Sequence, residues 1–271
     1  TSNLKEREGY MNFVIVGGGA TGVELAGALA ELKCNVLPKD YPDLDIRQMQ
    51  INIVEASDRL LAAMSQNASE SSHHFLKELG VNIWFETMVN EYDGHTVVTN
   101  KKSFNSRALI WTAGVKGAPV ECVDWKLNAN ERILVDNYNK VLGQEHVFAI
   151  GDVACIESEA NGRGHAMLAS VAGQQGKHLG ENLNRLAKKK ELTPFSYNDK
   201  GTMATIGRNR AVVDLSFIKF GGIFAWFVWM FLHLMLLVDF RNRLIVFTNW
   251  CWSYIKYDKG LRLIVRPAKR P

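Results

Sequence analysis

Asn12-Phe13-Val14-Ile15-Val16-Gly17-Gly18-Gly19-Ala20-Thr21-Gly22-Val23-Glu24-Leu25-Ala26 changes its hydrophobic period at the glycines. Before them, Asn12 to Val16 reads as a short buried strand; after them, apolar residues recur at helical spacing from about Val23 to Leu32. Gly17, Gly19 and Gly22 form a GxGxxG pattern at that strand-to-helix junction. In such a loop the first glycine permits a tight turn, the second lets the backbone approach a pyrophosphate, and the third lets the helix close on the strand. Helix amides and the helix dipole then favour the phosphate charge. Gly17, Gly18, Gly19, Ala20, Thr21 and Gly22 are therefore candidate dinucleotide-binding residues.

A second buried-type strand, Gln50 to Val54, ends in Glu55. A carboxylate at this place accepts from the 2′-OH of NADH and repels the extra phosphate of NADPH, so NADH is the expected nucleotide. Glu55 lies 33 residues beyond Gly22, against roughly 20 in the usual pattern. The polar, proline-containing stretch from Cys34 to Arg47 is the expected insertion. A helix from about Ala68 to Leu79, closed by Gly80, leads to strands at Val81 to Phe85, Thr96 to Thr99 and Ala108 to Thr112, with a turn at Asp93-Gly94. The order strand, helix, strand, helix, strand is that of an α/β, Rossmann-like doubly wound sheet. Glu24, in the first helical turn after the glycines, has two readings: an acid complementing the helix dipole, or a group at the nicotinamide end of the nucleotide.

The 271 residues are 47% apolar and 22% charged with 6 prolines, which excludes a disordered or collagen-like chain. A net charge of +4 is too small for the basic stripe of a nucleic-acid binder. It is unevenly spread. From Arg241 to Pro271 there are eight basic residues and the single acid Asp258, a local +7, so the remainder carries −3. Cys34, Cys122, Cys155 and Cys251 are widely spaced and form no CxxC pair, which argues against a zinc ribbon or a disulfide framework and for a reducing compartment. Residues Thr1 to Gly9 read as a polar leader.

Farther along, Val147-Phe148-Ala149-Ile150-Gly151-Asp152 reads as an apolar strand ending in Gly-Asp, and a helix from about Ala169 to Ala187 carries Gln174 and Gln175 before the run Lys188 to Lys190. Taken alone, the two glutamines read as a solvated helix face. VFAIGD resembles the second flavin-binding motif of the two-dinucleotide-domain flavoprotein reductases. Trp111 to Val115, Ala169 to Gly176, Asp199 to Arg208 and Phe240 to Arg243 are together similar to type II NADH:quinone oxidoreductase, over nearly the whole chain from about Phe13.

That resemblance implies an NADH domain at 10–119, the second half of an FAD domain at 120–200 and a membrane-associating region at 201–271. It further implies a C-terminal portion of a longer reductase, which by itself holds FAD poorly. Glu24 then corresponds to an acid near the nicotinamide, Ala113 and Gly114 to the loop beside the nucleotide, and Gly151 with Asp152 to the flavin ligand. Ala172, Gln174 and Gln175 belong to the helix start that approaches the isoalloxazine, the two glutamines lying in the quinone pocket; Ser170 stands where the family usually has a further Gln. The implied reaction is hydride transfer from NADH to FAD and two-electron reduction of a membrane quinone, without proton pumping and without a metal. A soluble NADH:disulfide reductase, a sulfide:quinone reductase and a non-catalytic NADH-binding module are the competing readings.

Ile223 to Val238 is a 16-residue run with only His233 polar, short of the roughly 20 residues that span a bilayer. With Trp226, Trp229, Trp250 and Trp252 nearby and the basic tail following, it is expected to lie in the interface as a peripheral, monotopic anchor on the cytoplasmic face, or else to form a homodimer interface. His233 is either a satisfied core histidine or a group facing the quinone tunnel.

Overall fold

The computed structural model describes residues 3–120, 124–156 and 164–256. The chain divides into two compact units: residues 1–113 with 200–271, and residues 114–199.

The first unit opens with helix α1 (Leu4–Met11), where a polar leader was expected. The Asn3 side chain caps it by accepting from the Lys5 and Glu6 amides, a good fit for an Asn at this position. Strand β1 (Asn12–Val16) runs through the glycine loop into α2 (Ala20–Glu31). The stretch after α2 continues as helix to Asp40 and then reaches the next strand through a turn and a 3₁₀ element at Ile46–Gln48. A π turn at Leu32–Val36 leads into the short helix α3 (Leu37–Asp40). Pro38 accounts for the widened turn, because its ring would clash with the carbonyl four residues back in a regular α-helix. The residues in excess of the usual spacing therefore go partly into a longer helical arm and partly into the connection after it, and leave the next strand in register.

That strand, β2 (Gln50–Val54), is followed by α4 (Gln66–Glu78), β3 (Asn82–Trp84), the meander β4 (Val89–Tyr92), β5 (Thr96–Thr99) and β6 (Ser103–Asn105), and β7 (Ala108–Trp111). The parallel sheet has the order β3-β2-β1-β7, with Val16 paired to both Val54 and Trp111. On one face, Ile15, Ile51 and Ile53 pack with Val23 and Ala26 of α2 and Leu76 of α4; on the other, Val14 and Val54 meet Val97 and Phe104 of the meander. Burial on both faces is why β1 reads as an apolar run from Phe13 to Val16 and why β2 is apolar apart from Gln50 and the hydrogen-bonded Asn52.

The second unit contains β8 (Ile133–Val135), β9 (Ala154–Ile156) and α5 (Ala169–Ala187). β8 and β9 pair in parallel, and Ile133, Val135, Val141 and Ile156 form its core. The expected strand over Val147–Asp152 is absent. Phe148 makes a single bridge to Lys140, and Gly151–Val153 is a 3₁₀ turn. Val147 and Ala149 bond to the Val141 and Asn139 backbone on either side of that bridge, and Gly151, at φ +72°, then turns the chain out of the extended conformation.

The chain then returns to the first unit with β10 (Thr202–Thr205), β11 (Ala211–Asp214), β12 (Lys219–Gly222), α6 (Ile223–Leu236) and α7 (Phe240–Lys256). Ala204, Ile206 and Val212 complete the core on the α2 and α4 side. Approach here is at backbone distance: a Cβ on Gly27 of α2 would lie 2.4 Å from the Gly207 nitrogen.

Asp214 fastens β11 to α4. Its Oδ2 accepts from the Ser65 amide at the start of α4 at 2.5 Å, and its Oδ1 lies 3.2 Å from Lys219 Nζ. Burial acts to raise this carboxyl, but the Ser65 N–H and the Lys219 ammonium outweigh it and hold it below its ordinary 3.8. A carboxyl lowered in the folded state stabilises above its unfolded pKa and loses that contribution as pH falls through the folded one. Asp214→Asn is therefore expected to destabilise by about 1–2 kcal/mol near neutrality. Urea midpoints of the two proteins should converge below about pH 4.

Candidate functional site

The glycine loop is built by close contacts on two sides and open space on the third. Gly17 has φ +108° and donates its N–H to the Val54 carbonyl at 2.8 Å, turning the chain off the end of β1. A Cβ on Gly22 would stand 1.9 Å from the Gly17 carbonyl oxygen and 3.0 Å from Thr112 Oγ1, so the helix sits directly on the loop. A Cβ on Gly19 would meet nothing within 4 Å. Gly19 is also the N-cap of α2 and brings no side chain to the first-turn amides. Open space over a helix N-terminus of twelve residues is the shape a pyrophosphate requires. Thr112 braces the loop from β7, donating its hydroxyl to the Val16 carbonyl at 2.8 Å. Ala113 follows beside Gly17, and Gly114, at φ +68°, carries the chain onward.

Glu55 reaches that loop. Its Oε2 accepts from the Gly18 N–H at 2.5 Å, while Oε1 accepts from the Ser57 N–H and hydroxyl at 2.7 and 2.8 Å. The residues from Gly17 to Gly22 and Glu55 thus come together as one site. Glu24 is half-buried on the side of α2 that faces β10. Its Oε1 accepts from the Thr205 N–H at 3.1 Å, in a cleft shared with Glu31, Asn35 and Arg208.

In the second unit, Asp152 is exposed just after Gly151. The Gly151 N–H donates to Gln175 Oε1 at 2.7 Å, and Gln175 is 1% exposed. Gln174 makes two bonds with the backbone of Asn198, donating to its carbonyl at 2.9 Å and accepting from its N–H at 3.0 Å. Neither glutamine is a plain solvated face. Ala172 is half-buried, its Cβ 3.4 Å from where a Cβ on Gly151 would lie. Leu168 supplies no side-chain cap to α5, and Ser170 pairs with the Tyr197 hydroxyl at 3.0 Å. An exposed carboxylate beside an uncapped helix start suits the hydroxyl-rich ribityl and phosphate end of a flavin.

His233 is exposed on α6 and stacks on Trp229, with its Nδ1 2.8 Å from the Trp229 carbonyl oxygen, so it is not a core histidine. The apolar C-terminal region is two helices broken at Leu237–Asp239, and Asp239 takes φ +87°. Phe224, Phe227 and Phe231 form an exposed i, i+3, i+7 stripe on α6; Phe240, Leu244 and Phe247 form another on α7. A groove of about 470 Å³ lies between the helices, lined by Trp226, Met230, Trp250 and Tyr254 among others. Among the described residues no helix is long and apolar enough to cross a membrane. The basic tail beyond Lys256, Cys122 and residues 157–163 lie outside the described residues.

Sequence reasoning missed two parts of this arrangement. One is Ser57, signalled only by a hydroxyl residue two places after a strand-end acid. The other is Arg208, whose guanidinium donates to the Ser253 and Tyr254 carbonyls of α7 at 3.1 Å each, while its N–H donates to Glu31 Oε1. Such a cation suits a helix C-terminus.

Residues 1–176 match the family model described as pyridine nucleotide-disulphide oxidoreductase, and residues 200–256 match the NDH2 C-terminal domain. Among curated relatives, a type II NADH:quinone oxidoreductase of Mycobacterium tuberculosis is 28% identical, over 96% of this chain and 58% of the relative. Another, of Haemophilus influenzae, is 32% identical over 84% of this chain and 53% of the relative. The chain spans about half the length of the curated relatives it matches. The structure of NDH2 from Plasmodium falciparum in complex with NADH superposes with a TM-score of 0.85 at 19% identity, covering 96% of this chain and 69% of that one. The match over residues 1–176, continued by the NDH2-specific domain, places the chain in the pyridine nucleotide-disulphide oxidoreductase family, within its type II NADH dehydrogenase branch.

Proposed function

We propose that the protein oxidises NADH through a bound FAD and reduces a membrane quinone, as an NADH:quinone oxidoreductase that pumps no protons. The observation that carries this reading is the glycine cradle with Glu55 at its edge: open space at Gly19, and a carboxylate on the Gly18 amide where the adenine ribose lies in such folds. The α2 amides hold the pyrophosphate, and Glu55 accepts from the ribose and rejects the 2′-phosphate of NADPH. Ala113 and Gly114 border the nucleotide, and Glu24 is assigned to its nicotinamide end. Bound FAD supplies the redox chemistry, as two-electron acceptor for the nicotinamide hydride and donor to the quinone. Asp152 receives the flavin ribityl hydroxyls, Gln175 holds the Gly151 turn that presents Asp152, and Ala172 and Gln174 flank the ring at the start of α5. His233 is assigned to the quinone path.

The exposed stripes of α6 and α7 seat the protein on the cytoplasmic face of a bilayer without crossing it. The same face offers a homodimer contact as the second reading. The full-length protein, purified with flavin, is expected to oxidise NADH with menadione, to prefer NADH to NADPH, and to leave the interior pH of proteoliposomes unchanged during turnover. NADH binding without flavin reduction would instead mark a non-catalytic nucleotide-binding module.

A further inference from the structure

The strand-end carboxylate is held by more than its strand. Directly after Glu55 the chain turns so that Ser57 presents its N–H and its hydroxyl to the same oxygen, Oε1, at 2.7 and 2.8 Å. The hydroxyl also lies 2.9 Å from the Arg59 carbonyl, and its one proton serves one acceptor at a time. The turn itself is anchored, for the Ser57 carbonyl accepts from the Glu86 N–H at 3.0 Å. With Oε1 tied to Ser57, Oε2 is the oxygen left on the glycine loop, 2.5 Å from the Gly18 N–H. Glu55 has three side-chain torsions, and a carboxylate without these ties would have to be ordered when the ligand arrives.

We infer that Ser57 is a specificity-determining positioning residue, which fixes the Glu55 carboxylate so that Oε2 meets the ribose hydroxyls of an unphosphorylated nicotinamide dinucleotide. This rests on the reading of Glu55 as the ribose acceptor. Ser57→Ala keeps the backbone donor and removes the hydroxyl, so ordering of Glu55 is transferred to the binding step. The loss falls on NADH, which uses the carboxylate, and not on NADPH, which binds in spite of it.

The test is titration of the full-length protein with NADH and with NADPH, followed by quenching of tryptophan fluorescence, for wild type, Ser57→Ala, Ser57→Thr and Glu55→Ala. Ser57→Ala is expected to weaken NADH by about three- to fivefold while NADPH holds or tightens, and Ser57→Thr, which retains the hydroxyl, is expected to match wild type. If Glu55→Ala weakens NADH and Ser57→Ala does not, the role of Ser57 is overturned and that of Glu55 stands. If Ser57→Ala weakens both nucleotides alike and Thr does not rescue it, Ser57 is a structural residue and the inference fails. If Glu55→Ala leaves NADH binding unchanged, the ribose reading itself fails and the inference falls with it.

Discussion

Gly22→Ala is expected to weaken NADH binding by about 100-fold or more, the loss of at least two charge-assisted hydrogen bonds to phosphate. The added methyl would lie 1.9 Å from the Gly17 carbonyl oxygen, a backbone atom in a turn that cannot retreat, and 3.0 Å from Thr112 Oγ1. Gly17 is fixed on both sides: its N–H is bonded to Val54 and its φ of +108° has few alternatives. The start of α2 must therefore move off the loop, which carries an overpacking penalty of about 1–3 kcal/mol and takes the first-turn amides out of line with the phosphate. Gly19→Ala separates the two effects. Its methyl meets no protein atom within 4 Å, so the melting temperature should stay near wild type while the methyl occupies the space the pyrophosphate needs. Titration of both variants with NADH, alongside thermal melts, tests the assignment. NADH affinity within twofold of wild type in both proteins would remove the cradle as the nucleotide site.

The same contacts show why some of this molecule could be read from its sequence. Asn12–Val16 and Gln50–Val54 are strands buried on both faces, and that burial writes itself as the apolar run Phe13 to Val16 and as Ile51, Ile53 and Val54 around Asn52, whose side chain is satisfied by Asn12 and Trp84. Ala169–Ala187 coincides with its expected span because its periodic face alone decides the helix. Val147–Asp152 carries the same apolar signature as β1 but makes only a bridge, with Val147 and Ala149 bonded to the Val141 and Asn139 backbone, before the left-handed Gly151, whose N–H goes to the distant Gln175 side chain, ends the extended run. The expected insertion between Cys34 and Arg47 is spent in two ways that composition does not separate: a π turn and the short helix carrying Pro38 extend α2 to Asp40, and a turn with a 3₁₀ element leads from there to β2. At the site, the glycines and Glu55 were legible because each is required by local backbone or ligand chemistry. The seating of Glu24 on Thr205 and of Gly27 against Gly207 joins segments far apart in the chain, and no spacing rule within either segment announces it.

Phe224→Glu with Phe231→Glu is expected to release the protein from anionic liposomes, with the bound fraction at a fixed lipid concentration falling by about 100-fold in partition terms. Phe224 is 67% exposed and Phe231 61%, two turns apart on α6, so their rings have no protein cover over most of their surface. Seating each ring in the acyl boundary contributes about 1–2 kcal/mol, and a carboxylate in its place is opposed by the negative lipid surface. The exposed stripe on α7 adds a second apolar line, and Arg241, exposed at the start of that helix, adds attraction of about 1 kcal/mol. Flotation of the full chain, of the double variant and of a protein shortened by residues 223–271 measures these terms in order. NADH titration of the double variant checks that the nucleotide site is intact. A soluble dimer through the same face makes the opposite pair of results: sedimentation would show the double variant as a monomer, while flotation stayed as in wild type. Sixteen residues from Ile223 to Val238 cannot reach across a bilayer, and they are divided between α6 and the Leu237–Asp239 break. Exposed phenyl rings on two short helices therefore have two sinks, lipid and another copy of the chain; the two glutamates oppose both, and the pairing of flotation with sedimentation tells them apart, because only lipid seating makes flotation depend on these rings.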